Sequence, residues 1–219
     1  MARGRAPGFD ATREEILAQA ARLFANQGYP ATSMNQVAEA CGFSKASLYH
    51  YYRDKYSLLV SIAENHVSRL EDLVDDAALQ ALAPDARLRE MIRRFVEEYA
   101  GARHAHRVLT EDVKFLENAD RQRVLDKERT VVADFARVVA TLRPDLEAVA
   151  LAKPVTMLLF GMINWMFIWM RPDGELDYDS MAPVVADLFL GGLPAVKASR
   201  PQAAHSPLSL NPPRTETSP

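Results

Sequence analysis

The stretch Thr32–Lys55, TSMNQVAEACGFSKASLYHYYRDK, decides the fold of the first part of the chain. Ser33 and Gln36 have the spacing of a capping box, which predicts that a short helix begins directly after Ser33. Gly42 has no Cβ atom and can adopt the left-handed conformation that ends a helix and turns the chain. Ser44 is suited to cap a second helix after that turn. The pattern therefore predicts a helix-turn-helix motif.

The second helix of the motif has one inward side and one polar, aromatic side. Leu48 and Tyr52 are four residues apart and are predicted to face inward. Helix-turn-helix proteins place their second helix in the major groove, so we expect the other side to contact DNA. The predicted contacts are Lys45 and Ser47 for base edges, Tyr49 and His50 for the backbone, and Ser33, Ser44, Ala46, Tyr51 and Lys55 around them. An ordinary αα-hairpin is the alternative.

Residues 1–9 form a basic arm that contains glycine and proline and precedes the predicted DNA-binding domain of residues 10–55. Arg3 and Arg5 in this arm are predicted to reach a minor groove or phosphates. A terminus that makes no specific contact is the alternative. Thr12 opens the pattern TREE, which predicts a capping box at the start of the first helix.

The same part of the chain, from about Thr12 to Ile62, resembles the DNA-binding domain of the TetR family of transcriptional regulators. The resemblance is carried by Thr32-Ser33, Val37-Ala38, the run CGFSKASLYHYYRDK and Leu58-Leu59. Phe43 stands where a valine is more usual, and Cys41 where a small or apolar residue is common. The resemblance implies a homodimeric repressor that binds a palindromic DNA operator and leaves it when a small molecule binds.

Composition and charge agree with a small DNA-binding unit attached to an acidic body. The chain has 219 residues, is 48% hydrophobic and carries a net charge of −3, which argues against a wholly basic nucleic-acid binder. Residues 1–55 have a net charge of +2, and the remainder has −5. The single cysteine excludes an intrachain disulfide and a CxxC site. The first ten residues lack the apolar segment of a signal peptide, so a cytoplasmic location is predicted.

Residues 56–193 are predicted to form an all-helical body, because strand alternation is not visible in the sequence. The fold class is therefore all-α, with an N-terminal three-helix domain and a C-terminal helical ligand-binding and dimerisation domain. A helix capped by Asp54 carries the stripe Leu59, Ile62, His66 and Leu70, which is long enough to run from one domain into the other. Rotation of the body would then move the recognition helix. Residues 194–219, rich in proline and serine, are predicted to be a disordered tail.

Residues 155–170, VTMLLFGMINWMFIWM, are the most apolar run of the chain. The run is shorter than the roughly 20 residues of a membrane span, so a membrane segment is not predicted. A helix that is apolar all round must be buried on all sides. The next helix, with its stripe from Met181 to Phe189, also needs more cover than the chain supplies. A homodimer is predicted, held by a four-helix bundle of the last two helices of each subunit.

Enzyme motifs such as a phosphate loop, GxSxG or HExxH are not present in the sequence. The best remaining cluster is His104, His106, Glu111 and Asp112, which a helical-bundle metalloenzyme could use. The two histidines are two residues apart on a helix, so their rings should point to different sides. We therefore predict no metal and no cofactor. An enzyme, and a DNA-binding factor without a ligand, are the two alternatives to the regulator.

Residues 160–192 resemble the C-terminal part of the TetR branch that responds to acyl-CoA thioesters, with Asn164, Trp165 and Trp169 carrying the resemblance. Met170 and Pro154 depart from it. An acyl-CoA site needs an apolar slot and cations at its mouth. The predicted slot residues are Phe95, Tyr99, Trp165 and Trp169, and the predicted mouth residues are Arg103, Arg107, Arg121 and Arg123. Core packing and a solvated face are the respective alternatives. Residues 98–116, EYAGARHAHRVLTEDVKFL, resemble repressors of phenylacetate degradation, so phenylacetyl-CoA is the expected effector.

Overall fold

The computed structural model describes residues 8–170 and 176–199, and within these ranges the fold is all-helical, as predicted. Arg3, Arg5 and residues 200–219 of the predicted tail lie outside the described residues. The first four helices are α1 (Phe9–Gln27), α2 (Met34–Ala40), α3 (Lys45–Tyr49) and α4 (Lys55–Asp75). The body contains α5 (Ala77–Gln80), α6 (Pro84–Gly101), α7 (Arg103–Glu111), α8 (Asn118–Leu142), α9 (Pro144–Ala148), α10 (Ala152–Trp169) and α11 (Tyr178–Gly192). Short 3-10 turns follow α7 at Val113–Phe115 and α11 at Leu193–Ala195.

The helix-turn-helix forms for the local reasons read from the sequence. The Ser33 hydroxyl accepts from the backbone N–H of Gln36 at 3.3 Å, and the Gln36 side chain accepts from the backbone N–H of Ser33 at 2.8 Å. Gly42 has φ 69°, in the left-handed region, and ends α2. Asp54 caps α4, accepting from the backbone N–H of Ser57 at 2.7 Å. Side chains at their N-caps therefore start α2 and α4, and the backbone conformation of a glycine ends α2.

The start of α1 corrects one prediction. The helix begins at Phe9, with Gly8 as its N-cap in the left-handed conformation at φ 98°. Thr12 does not cap the helix, because it already lies inside the first turn and donates from its hydroxyl to the Gly8 carbonyl at 2.9 Å. The backbone conformation of a glycine, which the pattern TREE does not encode, sets the boundary.

Two hydrophobic cores stabilise the protein, and their border does not lie at residue 55. The first core joins α1, α2, α3 and the first part of α4 to two buried residues of α7, Val108 and Leu109. Leu116 and Val124, which follow α7, also belong to it. The second core joins α6, α8, α10 and α11 to the last part of α4. Both α4 and α7 therefore bind the DNA-binding unit to the body.

One side of the last two helices is uncovered in the single chain. Helix α10 exposes Leu158 by 70%, Trp165 by 62% and Trp169 by 47%, and α11 exposes Leu188 by 65%. This exposure agrees with the prediction that the last two helices need more cover than one chain supplies, and their burial by a second subunit stays a prediction. Among the residues described, no helix has both the length and the apolar character needed to cross a membrane.

Candidate nucleic-acid interface and ligand cavity

Helix α3 is anchored by one apolar side chain and presents its other side to solvent. Leu48 is fully buried in the first core. The Ser44 hydroxyl accepts from the backbone N–H of Ser47 at 3.1 Å and lies 2.8 Å from the Ser47 hydroxyl, so both serines help to start the helix. Lys45, Ala46, Tyr49 and His50 are exposed together, and the Lys45 ammonium lies 6.0 Å from the centre of the Tyr49 ring. This surface has the donors and the cation that suit a DNA groove.

Two of the predicted DNA contacts instead hold the motif together. The ring of Tyr51 stacks on Phe9 at 4.9 Å and on Phe43 at 6.4 Å between ring centres. The Lys55 ammonium donates to the carbonyls of Tyr29 at 2.8 Å and Pro30 at 3.1 Å. Tyr51 and Lys55 therefore position the surface, because their side chains are occupied by the protein.

Sequence reasoning missed one cation beside this surface. The side chain of Arg53 is 80% exposed just after α3 and forms an ion pair of 3.1 Å with Asp54, the cap of α4. Its place in the run YYRDK could have indicated it, because an arginine next to a recognition helix is well placed for a phosphate. Ser33, at the start of α2, is exposed, and its side chain is committed to the capping box.

A cavity of about 370 Å³ lies among α4, α6, α7, α8 and α10. Most of its wall is apolar, and the apolar lining includes Val67, Leu70, Leu109, Val131, Met157 and Phe160. Val67 and Leu109 belong to the first core, whereas Leu70 and Val131 belong to the second. The cavity therefore lies on the border between the DNA-binding unit and the body.

The predicted slot residues are divided between this cavity and other places. Tyr99 and Asn164 line the cavity. Phe95 lies behind Tyr99, with 6.0 Å between ring centres, and is fully buried in the second core. Trp165 and Trp169 do not line the cavity, because they lie on the exposed side of α10. The prediction that these two tryptophans line the slot is therefore wrong, and both lie on the uncovered side of α10.

The predicted mouth arginines are not at the cavity either. Arg107 pairs with Glu111 at 2.9 Å, Arg123 pairs with Glu64 at 2.9 Å, Arg121 donates to Asn118 at 3.0 Å, and Arg103 is exposed at the first residue of α7. Ion pairs occupy Arg107 and Arg123, and a hydrogen bond to a neutral amide occupies Arg121. The cations that do line the cavity are Arg129 and Lys153. Lys153 lies two residues before the apolar run of residues 155–170, and this position could have indicated it.

Glu128 is the cavity residue that sequence reasoning should have found. It falls on the apolar stripe of α8, four residues after Val124 and three before Val131, so it interrupts a buried face. Burial raises the pKa of its carboxyl group. A carboxylate in this position is costly to the protein unless a binding partner compensates it.

A buried polar cluster lies beside the cavity and contacts α4, α6 and α7. His66 Nε2 is 3.3 Å from His106 Nδ1, and His66 Nδ1 is 3.7 Å from Glu98 Oε1. The ring of Tyr99 stacks on His106 with 3.7 Å between centres. Burial, together with the neighbouring His66, lowers the pKa of His106 to about 3. Contact with His66 and Arg69 holds the pKa of Glu98 below its usual range. His106 is therefore neutral at physiological pH.

The two histidines of the sequence His104-Ala105-His106 face different sides, as predicted from their spacing. His106 lines the apolar cavity, whereas His104 lines a separate open groove of about 630 Å³ bordered by Glu14, Arg69 and Glu98. Within the described ranges, no three His, Cys, Asp or Glu side chains are arranged to hold a metal ion. The groove is larger than the cavity, but a larger share of its exposed lining is polar. The wall of the cavity is mainly apolar and a few polar groups converge on it, which is typical of a small-molecule site.

Comparisons with known proteins cover both parts of the chain. Residues 16–62 match the family described as "Bacterial regulatory proteins, tetR family", and residues 81–193 match "Tetracyclin repressor-like, C-terminal domain". A TetR-family transcriptional regulator from Bordetella parapertussis 12822 is 33% identical, with a TM-score of 0.78, and the match covers 87% of this chain and 100% of that one.

Two further relatives carry more specific names. The HTH-type transcriptional repressor KstR2 from Rhodococcus jostii (strain RHA1) is 25% identical over 197 residues, which are 85% of this chain and 93% of that protein. The structure of AibR in complex with isovaleryl coenzyme A and operator DNA is 25% identical with a TM-score of 0.70, covering 81% of this chain and 97% of that one.

Proposed function

The chain belongs to the TetR family of bacterial transcriptional regulators, and on that premise we propose that it is a homodimeric repressor released from its operator by a hydrophobic effector. As a member of this family the protein is a regulator and not an enzyme. In the proposal, the exposed side of α3 binds the operator DNA in the bacterial cytoplasm. The cavity binds the effector, and α4 and α7 transmit its effect.

The observation that carries the proposal is the position of the cavity. Its wall takes Val67 from α4 and Leu109 from α7, and both side chains are also part of the core that holds α3. A ligand that pushes either helix must therefore repack the DNA-binding unit, because a close-packed core does not deform freely. The effector need only favour the non-binding conformation by about 1–3 kcal/mol to change operator affinity 5–150-fold.

Dimerisation through α10 and α11 completes the proposal. The exposed apolar side chains Leu158, Trp165 and Leu188 lie on the last two helices and form a surface that single subunits rarely leave uncovered. Two copies related by a two-fold axis would bury it and set the two α3 helices at a fixed spacing. That spacing must match one helical turn of DNA, which explains why the predicted operator is palindromic.

For the effector class we propose a CoA thioester, with phenylacetyl-CoA as the first candidate. AibR, one of the similar structures, was solved with isovaleryl coenzyme A and operator DNA. A cavity of about 370 Å³ suits the acyl group of such a molecule. Lys153 and Arg129 then stand at the mouth, where the phosphates of coenzyme A need cations.

Footprinting tests the proposal directly. The full chain is bound to DNA upstream of its own gene and of the neighbouring genes, and acyl-CoAs are then added one at a time, including isovaleryl-CoA and phenylacetyl-CoA. We expect a protected palindrome that is lost on addition of one thioester. If no palindrome is protected, the repressor proposal fails. If a palindrome is protected and no thioester releases it, only the effector class fails, and a DNA-binding factor without such a ligand remains.

A further inference from the structure

Helix α8 carries four acidic side chains, and three of them have an arginine partner. These pairs are Asp120 with Arg123, Asp126 with Arg129, and Asp134 with Arg137. Glu128 is the fourth, and it forms neither an ion pair nor a hydrogen bond with any residue in the described part of the chain. The exception therefore lies at the one acidic position of this helix that lines the cavity.

The phenol of Tyr99 lies close enough to interact electrostatically with Glu128, but no hydrogen bond joins the two groups in the described structure, and the cations beside Glu128 are engaged elsewhere. Its neighbour Lys127 is paired with Glu71, and its other neighbour, Arg129, is paired with Asp126. Lys153 also lines the cavity, but no ion pair joins its ammonium group to the Glu128 carboxylate in the described structure. The carboxylate is thus partly removed from water beside apolar side chains, an arrangement that costs stability in the absence of a partner.

We infer that the effector carries a hydrogen-bond donor, a hydroxyl or amino group, on the part that enters the cavity, and that the Glu128 carboxylate accepts from it. This inference rests on the proposed function only in taking the cavity as the effector site, and within the CoA thioesters it favours a hydroxylated or aminated acyl group over the phenylacetyl group, which has no donor. A donor from the ligand replaces the water that Glu128 loses on burial, whereas a purely hydrocarbon ligand removes that water and returns nothing. Among molecules with equal apolar surfaces, Glu128 therefore favours those that carry a hydrogen-bond donor.

A pair of small probes isolates this selection from the coenzyme. 4-Ethylphenol and ethylbenzene differ by one hydroxyl group and both fit a cavity of about 370 Å³. Titration calorimetry on the full chain should give a dissociation constant about tenfold lower for 4-ethylphenol, because a hydrogen bond to a charged group is of that order. The preference should disappear in Glu128→Leu and shrink in Glu128→Gln.

Thr110→Val is the matched control, because Thr110 also lines the cavity with a hydroxyl group. That hydroxyl is already engaged with the carbonyls of His106 at 3.2 Å and Arg107 at 3.0 Å, so this variant should keep the preference. Equal binding of the two probes to the wild-type protein would overturn the inference. Survival of the preference in Glu128→Leu would overturn it as well.

Two further arms identify the donor and separate this inference from the proposed function. 4-Ethylbenzylamine tests an ammonium donor. If it binds more tightly than 4-ethylphenol, the donor that Glu128 accepts from is positively charged. Phenylacetyl-CoA is compared with 4-hydroxyphenylacetyl-CoA for operator release. If neither thioester binds while the phenol preference depends on Glu128, the CoA assignment falls and the inference stands. If both release the operator at equal concentrations, the proposed function stands and the inference is overturned.

Discussion

At the scale of single residues, the surface of α3 separates side chains that meet DNA from side chains that hold the motif. Tyr49 is 44% exposed, whereas Tyr52, three residues later, is 4% exposed and packs in the first core. The two tyrosines have the same chemistry and differ only in burial. They therefore test whether the exposed side of α3 is the DNA-binding surface.

We predict that Tyr49→Ala raises the dissociation constant for the operator about tenfold, a loss of about 1.4 kcal/mol, through the loss of a backbone contact. Thermal stability should stay within about 0.5 kcal/mol of wild type, because the side chain is largely exposed. Fluorescence anisotropy with labelled operator and a thermal melt provide the two measurements. In the matched variant Tyr52→Ala, the free energy of unfolding should instead fall by about 3 kcal/mol. Unchanged operator affinity in Tyr49→Ala would remove Tyr49 from the DNA surface.

Residues whose role is local were predictable from the sequence, and residues whose role depends on tertiary contacts were not. Ser33, Gly42 and Asp54 start or end helices through atoms within three residues of themselves, and the structure confirms them. Lys55 was predicted to be among the DNA contacts. Its ammonium donates to the carbonyl of Tyr29, 26 residues earlier in the chain, and sequence spacing gives no sign of that contact.

At the scale of secondary-structure elements, periodicity showed where the helices lie but not which neighbour each side meets. Helix α10 is apolar on nearly every side, so its sequence does not distinguish the side of Phe160, which lines the cavity, from the side of Trp165, which is exposed. Helix α8 is amphipathic, and there the polar interruption at Glu128 did carry information. The effector site was therefore predictable as an apolar region of the body, whereas its lining was predictable only where an amphipathic pattern is broken.

Helix α7 is bound to its neighbours partly by the buried contact between His66 and His106. The pKa of His106 is lowered to about 3, against about 6.5 in an unfolded chain. Between these values the unfolded chain binds a proton that the folded chain does not, so stability falls as the pH falls from about 6.5. Near pH 5 the loss from this group is on the order of 2 kcal/mol.

We predict that His106→Gln removes most of this pH-dependent loss between pH 7.5 and pH 5. Urea unfolding gives the free energy of unfolding at each pH. The slope of this free energy against pH is then compared between the variant and the wild type. His104→Gln is the control, because His104 is only partly buried on the other side of α7 and should contribute much less. Glu128, whose raised pKa favours the folded state at low pH, is present in all three proteins and so does not affect the comparison. Equal slopes for wild type and His106→Gln would show that the buried pair does not govern acid stability.

At the scale of the whole molecule, the protein has two cores that share α4 and α8, and α7 adds buried residues of the body to the first core. A long helix running from the DNA-binding unit into the body was predicted, and α4 confirms it. The second connection, through Val108 and Leu109 of α7, was not predicted, because α7 begins 48 residues after Lys55 and its packing on α1 is a tertiary contact. In the proposed mechanism, an effector bound between the two connections would bias both, and the coupling would then be a property of the packing as a whole.

A variant of Val108 can separate the coupling between the effector and the operator from the binding of the effector itself. Its side chain is 1% exposed in the first core and does not line the cavity. Val108→Ala loosens the contact of α7 with the DNA-binding unit, at an expected cost of about 1–2 kcal/mol in stability. The effector should still bind, because its lining is unchanged. The factor by which the effector weakens operator binding should fall several-fold, since a movement of α7 is then passed on less completely to the DNA-binding unit.

Reciprocity makes the measurement decisive, because the effector must weaken operator binding by the same factor as the operator weakens effector binding. Both factors are measured by titration for wild type, Val108→Ala and Val96→Ala. Val96 is fully buried in the second core on α6 and also lies outside the cavity lining, so it controls for a general loss of packing. We expect Val108→Ala to lower both factors together and Val96→Ala to keep them near the wild-type value. An equal decrease in both variants would mean that the coupling depends on overall stability and does not pass through α7.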